Sequence, residues 1–117
     1  MNKVIQDISL CKRAGKLIMG FDVVKESLIN QSAELLVVAS DVSAKTMKEV
    51  NFLSTKYGVE LIVIENTLDE LWYILGKRVG VFAITDKGLS DKIRKDVIIP
   101  IIQVSNLEEE NYDTKKI

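Results

Sequence analysis

A chain of 117 residues with 47% hydrophobic and 28% charged side chains has the composition of one folded domain, not of a disordered segment. Its formal charge of −1 supplies no global field to draw in a polyanion, so any nucleic-acid affinity has to come from a local patch. With no histidine, neither a Ser–His–Asp triad nor a histidine metal site can be built, and the lone Cys11 forbids an internal disulfide.

The start, Met1 to Asp7, carries an acid at position 7 and no long apolar core, so it does not read as a signal peptide. No run approaches the roughly 20 apolar residues of a spanning helix, and a cytoplasmic location is expected. Val4, Ile8 and Cys11 share one face of a first helix that Gly15 ends. Lys16 to Met19 is a short strand candidate. Gly20 lets the chain turn into a second helix, with Asp22 as its candidate cap and Val23, Val24, Ser27 and Leu28 as its apolar face. Glu34 to Ser40 is nearly continuous in apolar residues, as a strand buried on both faces would be. Asp41 or Ser43 caps a third helix whose inward stripe is Met47, Val50, Leu53 and Tyr57.

Gly58 closes that helix, and Val59 to Ile64 reads as a second buried strand. Leu68, Leu71 and Leu75, joined by Trp72, mark a fourth helix ended by Gly76. Val79 to Thr85 is a further strand and Leu89 to Lys95 a short helix. Val97 to Val104, interrupted by Pro100, reads as an edge strand. From Asn106 to Ile117 four acids stand against two lysines, an acidic tail expected to be mobile. The regular alternation predicts an α/β fold: a three-layer α/β/α sandwich around a central four-stranded, mostly parallel (mixed) sheet. Residues 1–105 are expected to form one domain and 106–117 the tail.

Most catalytic and cofactor motifs are missing. No Gly-x-Gly-x-x-Gly follows a strand and no phosphate-binding Gly-x-x-x-x-Gly-Lys loop occurs, so no small-molecule cofactor is expected. Glu108 to Glu110 reads as a solubilising run rather than a cation site, and Asp86, Lys87 and Gly88 as ordinary turn chemistry. Two features stand out. The first runs from Lys12, Arg13 and Lys16 to Gly20 and Asp22, where the free N–H groups at the start of a helix attract anions beside a cluster of cations. The second is the tight loop Gly76 to Gly80 with Lys77 and Arg78 at its tip. If the fold brings them to one edge, together they suit a phosphodiester better than they suit catalysis.

Arg13 to Gly20, Leu35 to Val42, Tyr57 to Val59, Leu75 with Gly76, and Phe82 to Asp86 resemble, in order and spacing, the kink-turn-binding ribosomal protein family of the L-seven-Ae type. The similarity is to its bacterial YlxQ-like branch and covers Ile5 to about Ile93. It implies an α/β/α sandwich in which three loops grip an RNA kink-turn, a sharply bent internal loop with sheared G·A pairs. In the family the start of the second helix reads guanine edges through Gly-x-Asn-Glu-x-x-Lys. The matching residues here are Gly20, Phe21, Asp22, Val23, Val24, Lys25 and Glu26, so the glycine is kept and the three polar positions are changed. Ionised aspartate only accepts hydrogen bonds, yet Asp22 can still take protons from guanine amino or imino groups. Glu26 replaces an attractive phosphate contact with a repulsive one, and Lys25, about 100° around the helix, is placed to compensate. The second contact falls at Ser43, and the third at Lys77, Arg78 and Val79, with Val79 packing on an extruded base. Lys16 is added as a phosphate contact. The expected function is noncatalytic recognition of a bent internal loop in ribosomal or regulatory RNA. The alternative is a protein-interaction module that has kept the fold and lost RNA binding, which Val23, Glu26 and Trp72 favour.

Overall fold

The computed structural model describes residues 3–97. Nine elements follow in chain order: α1 (Lys3–Arg13), β1 (Leu17–Met19), α2 (Phe21–Ile29), β2 (Leu35–Val38), α3 (Ala44–Tyr57), β3 (Leu61–Val63), α4 (Leu68–Leu75), β4 (Val81–Ile84) and α5 (Lys87–Asp96). The candidate strand beyond Val97 and the acidic tail lie outside the described residues. Turn chemistry sets the helix ends as the sequence indicates. Gly15, Gly58 and Gly76 all adopt positive φ after a helix, and Thr67 with Glu70 forms a reciprocal capping box at the start of α4. Ser43, not Asp41, caps α3 by accepting from the Thr46 N–H at 3.1 Å. Asp86 is a helix cap as well: its carboxylate accepts from the Leu89 N–H at 2.8 Å, so Asp86 to Gly88 open α5 and do not form a free-standing turn.

The sheet has the order β1-β4-β2-β3 and is mixed. Its weighting differs from the expected mostly parallel arrangement. Only β2 and β3 pair in parallel, whereas β4 runs antiparallel to both β1 and β2. The reason lies in the return from α4. After Gly76 the chain runs back along that helix, so that Gly80 lies against Leu68 at the helix start. The chain therefore enters β4 from the end at which β3 left the sheet. Alternation of helix and strand does not encode that reversal. β3 is also an edge strand with Val63 half-exposed, so it is not buried on both faces as its composition suggests.

Side chains alternate across the strands into two cores. Leu35, Val37, Phe82 and Ile84 face α1, α4 and α5, where Ile8, Cys11, Leu71 and Ile93 meet them. Leu36, Val38, Val81 and Ala83 face α2 and α3, packing on Val24, Leu28, Val50 and Leu53. This is the three-layer sandwich. Cys11 is fully buried, and its thiol is pushed up to about 11, first by burial and then by the negative Asp7. It is a core residue.

One carboxyl interrupts the first core. Asp7 is buried on α1, with Lys92 Nζ of α5 at 3.0 Å from its Oδ1 and the same ammonium 2.8 Å from Asp96 Oδ2. Burial, then the adjoining Asp96, raise the Asp7 pKa, and Lys92 offsets this only in part. A raised pKa means the fold favours the protonated form. The associated stability is complete below the ordinary value of 3.8 and is lost as pH rises through the folded value. Asp7→Asn should therefore melt higher than the wild type at neutral pH, with Lys92 still held by Asp96. Thermal melts across a pH series should show that gap closing as pH falls from the raised folded value towards 3.8, and staying closed below it.

Candidate nucleic-acid interface

β1, β2 and β3 all end at one edge of the sheet, and β4 begins there. Two backbone hydrogen bonds tie this rim together. The Gly20 N–H donates to the Val81 carbonyl at 2.9 Å, and the Ala39 N–H donates to the Gly80 carbonyl at 2.8 Å. The start of α2, the turn before α3 and the loop Gly76–Gly80 are thus neighbours, although 60 positions separate the two glycines in the sequence. A third tie comes from Asp41, whose Oδ1 accepts from the Leu68 N–H at 2.8 Å and fixes the start of α4 to the same edge.

The two rim glycines are required for different reasons. Gly20 has φ 112°, a conformation that L side chains rarely adopt. Gly80 provides space: a Cβ there would lie 2.6 Å from Leu68 Cδ2 and 2.7 Å from Val42 Cγ1. No side chain caps α2 at Gly20, so the N–H groups of its first turn have no side-chain acceptor at the cap. Asp22 is therefore not the cap that its position suggests; it is a first-turn residue, where its charge complements the helix dipole. Val23 is likewise outside the apolar face. Only Val24, Ser27 and Leu28 of the expected stripe are buried, and Val23 is 49% exposed on the outer surface of α2. Helical rotation of about 100° per residue separates Val23 from Val24.

The structure gathers most of the predicted site residues and leaves some apart. Gly20, Phe21, Asp22 and Val23 lie at the rim, Lys25 one turn further along α2, and Ser43 at the adjoining start of α3. Lys77 and Arg78 are exposed on the loop that leads into the rim. Arg78 is engaged, with its Nε 3.1 Å from Asp69 Oδ1 in an exposed ion pair, whereas Lys77 has no ion pair among the described residues. Val79 is half-buried and packs against the first core, which leaves only part of its side chain for a partner.

Lys16 does not join them. It precedes β1, and its carbonyl accepts from the Thr85 N–H at 3.0 Å, at the opposite end of that strand from Gly20. Lys12 is spent elsewhere, donating to the Leu75 carbonyl at 2.7 Å at the end of α4. The cation cluster from Lys12 to Lys16 and the start of α2 are thus separated by a strand that sequence proximity conceals. Sequence reasoning also missed a groove of about 420 Å³ between α2 and α3, lined by Phe21, Lys25, Lys48, Glu49, Phe52, Leu53 and Lys56. Its signal was available, since Lys48, Phe52 and Lys56 recur at steps of four along α3.

The ribosomal protein L7Ae/L30e/S12e/Gadd45 family model matches residues 2–94. The chain belongs to that family. It is 33% identical over 93 residues to a protein of Enterococcus faecium named RNA-binding protein YlxQ, covering 80% of this chain and 89% of that one. It is 30% identical over 91 residues to the protein of the same name from Bacillus subtilis strain 168, covering 74% and 86%. Among solved structures, a protein of unknown function from Bacillus halodurans superposes with a TM-score of 0.75 at 25% identity, over 81% of this chain and 96% of that one. A 15.5 kD RNA-binding protein of Giardia lamblia superposes at 0.64 with 14% identity, over 79% of each, a likeness of fold. Among the described residues no helix is long and apolar enough to cross a membrane, and no cluster of acids and thiols is placed to hold a metal.

The close approach at Gly80 makes the rim testable by stability. Gly80→Ala forces a methyl group against Leu68 and Val42 and should cost about 1–3 kcal/mol, read as a lower melting temperature. Gly88→Ala, within α5, whose Cβ would meet only Asp86 Oδ2 at 3.4 Å, serves as the control and should hold or slightly raise the melting temperature.

Proposed function

We propose that this chain is a noncatalytic RNA-binding protein that holds a kink-turn, or a similarly bent internal loop of ribosomal or regulatory RNA, at the rim of its sheet. The observation that carries the reading is the juxtaposition of the uncapped first turn of α2 with the Gly76–Gly80 loop, through the Gly20 to Val81 and Ala39 to Gly80 hydrogen bonds. The names of the YlxQ relatives support RNA as the ligand class.

In this reading the N–H groups at the start of α2 and the Asp22 carboxylate face base edges, as donors and acceptor respectively. Phe21 and Val23 supply apolar contact, and Ser43 lies beside them at the start of α3. Lys25 and Lys77 contact phosphate, Arg78 joins once released from Asp69, and the exposed part of Val79 packs on an extruded base. Lys16, at the far end of β1, drops out of the contact set. Recognition of this kind depends on shape and unstacked bases, not on duplex sequence. The reading places the protein with RNA in the cytoplasm and requires no cofactor.

One observation favours the alternative, a protein-interaction module on the same fold. Trp72 and Tyr73 on α4 are 54% and 92% exposed, an unusual display for large aromatics. Filter binding separates the two readings, using a kink-turn RNA and a control in which Watson–Crick pairs replace the sheared G·A pairs. RNA recognition requires clear preference for the bent RNA; equal or absent binding leaves the protein-interaction module.

Charge variants test the contacts. Lys77→Ala with Arg78→Ala should weaken binding several-fold and reduce the slope of log K against log salt by about 1–2, because each lost phosphate contact removes roughly one released counterion. Lys77→Ala alone should account for most of that loss, since Arg78 already has a partner. Glu26→Lys should tighten binding. A weaker complex would mean that Glu26 faces a hydrogen-bond donor on the RNA.

A further inference from the structure

We propose that the groove between α2 and α3 binds a single-stranded stretch of RNA that leaves the bent element, with one base stacked on Phe52 and the adjoining phosphates held by Lys25, Lys48 and Lys56. This rests on the reading of the rim as an RNA site and extends it to a second surface. The groove has about 420 Å³ of space and begins at Phe21, the residue next to Gly20, so it is continuous with the rim.

Composition identifies the occupant. Three lysines and one glutamate, Glu49, line the groove, which leaves it positive on a chain whose net charge is −1. None of the three lysines is in an ion pair among the described residues. Phe52 is 64% exposed, an aromatic face on the surface between cations. Lys56 Nζ already lies 5.9 Å from the centre of that ring and 5.4 Å from the Tyr57 ring, so an ammonium group borders the stacking position. Cations interleaved with aromatic rings along a groove are what a flexible polynucleotide strand requires, and every base offers a face to stack. An acidic peptide would use the lysines but would leave Phe52 without a partner.

The geometry of α2 adds a second reason. Asp22 and Glu26 lie four residues apart on one exposed stripe, and Phe21 and Lys25 lie four apart on the next, turned toward α3. The acidic stripe repels a backbone, whereas the neighbouring stripe opens into the groove. A strand passing α2 is therefore directed to the α3 side.

The experiment titrates the whole protein with two RNAs: a kink-turn with blunt ends, and the same element carrying a single-stranded tail of about eight uridines. The wild type is compared with Phe52→Ala and with Lys48→Ala paired with Lys56→Ala. Amide chemical shifts report folding and the surface contacted. The expected result is that the tail tightens wild-type binding about tenfold and that either variant abolishes the gain while binding the blunt RNA as before. Equal affinity for both RNAs, or a gain that survives in the variants, overturns the proposal whatever the blunt RNA does. If the blunt RNA fails to bind while free oligouridine shifts the groove amides and Phe52→Ala removes that shift, the rim reading falls and the groove stands. If oligoglutamate shifts those amides as strongly and Phe52→Ala has no effect, the groove is a charge site for an acidic protein and the proposal is overturned.

Discussion

Everything at the rim depends on β4 entering the sheet between β1 and β2 from the edge where those strands end. That placement puts Val81 beside Gly20 and Gly80 beside Ala39, and two short backbone hydrogen bonds lock the connection. Neither bond could form if the chain entered β4 from the other end. The reversal is made by residues 77–80 running back along α4, and it is permitted because Gly80 has no Cβ to collide with Leu68 and Val42. Close packing at Gly80 thus accompanies the connection that brings these loops to one surface. The same strand supplies both cores, with Phe82 and Ile84 facing one and Val81 and Ala83 the other, so site geometry and fold stability rest on one element.

Sequence periodicity read the elements well because each carries its own local signal. Val50 and Leu53 announce the buried face of α3, and the burial of β2 and β4 on both faces follows from uninterrupted apolar runs. What stayed hidden is relational. The direction of β4 depends on where α4 delivers the chain, which no local pattern encodes. Lys16 and Gly20 are near in sequence, yet an extended strand at about 3.3 Å per residue carries them to opposite ends of the sheet. Conversely, Gly20 and Gly80 are distant in sequence and adjacent in space. Val23 reads as part of the buried stripe because one residue of helical phase is below the resolution of a short amphipathic pattern. The structure places it outside, on the exposed surface of α2.

The electrostatics follow the same logic of local arrangement over global sum. Several rim carboxylates are already engaged. Asp41 accepts from a helix N–H, Glu70 closes the capping box, and Asp69 neutralises Arg78. Of these, only Asp69 has its charge offset by a cation, since a backbone N–H does not cancel the charge of Asp41 or Glu70. Arg78 is correspondingly committed to that carboxylate, and Lys12 lies away from the rim, at the end of α4. What is left to act on a ligand is the uncapped turn of α2, Lys77, and the unpaired lysines bordering α2 and α3.

These remaining groups are not symmetric about α2. On one exposed stripe stand Asp22 and Glu26; about 100° around the helix stand Phe21 and Lys25, backed by Lys48, Phe52 and Lys56 of α3. With a net charge of −1, long-range attraction contributes little, and fields from exposed charges fade within a Debye length of about 8 Å at physiological salt. A polyanion therefore meets this asymmetry only at contact distance, where repulsion on one flank of α2 and attraction on the other select its path. Where the resemblance implies a lysine the chain has Glu26, and the adjoining residue Lys25 carries the nearest cation in sequence. In three dimensions the exchange is a rotation of the attractive face about the helix axis, away from the outer stripe and into the groove shared with α3.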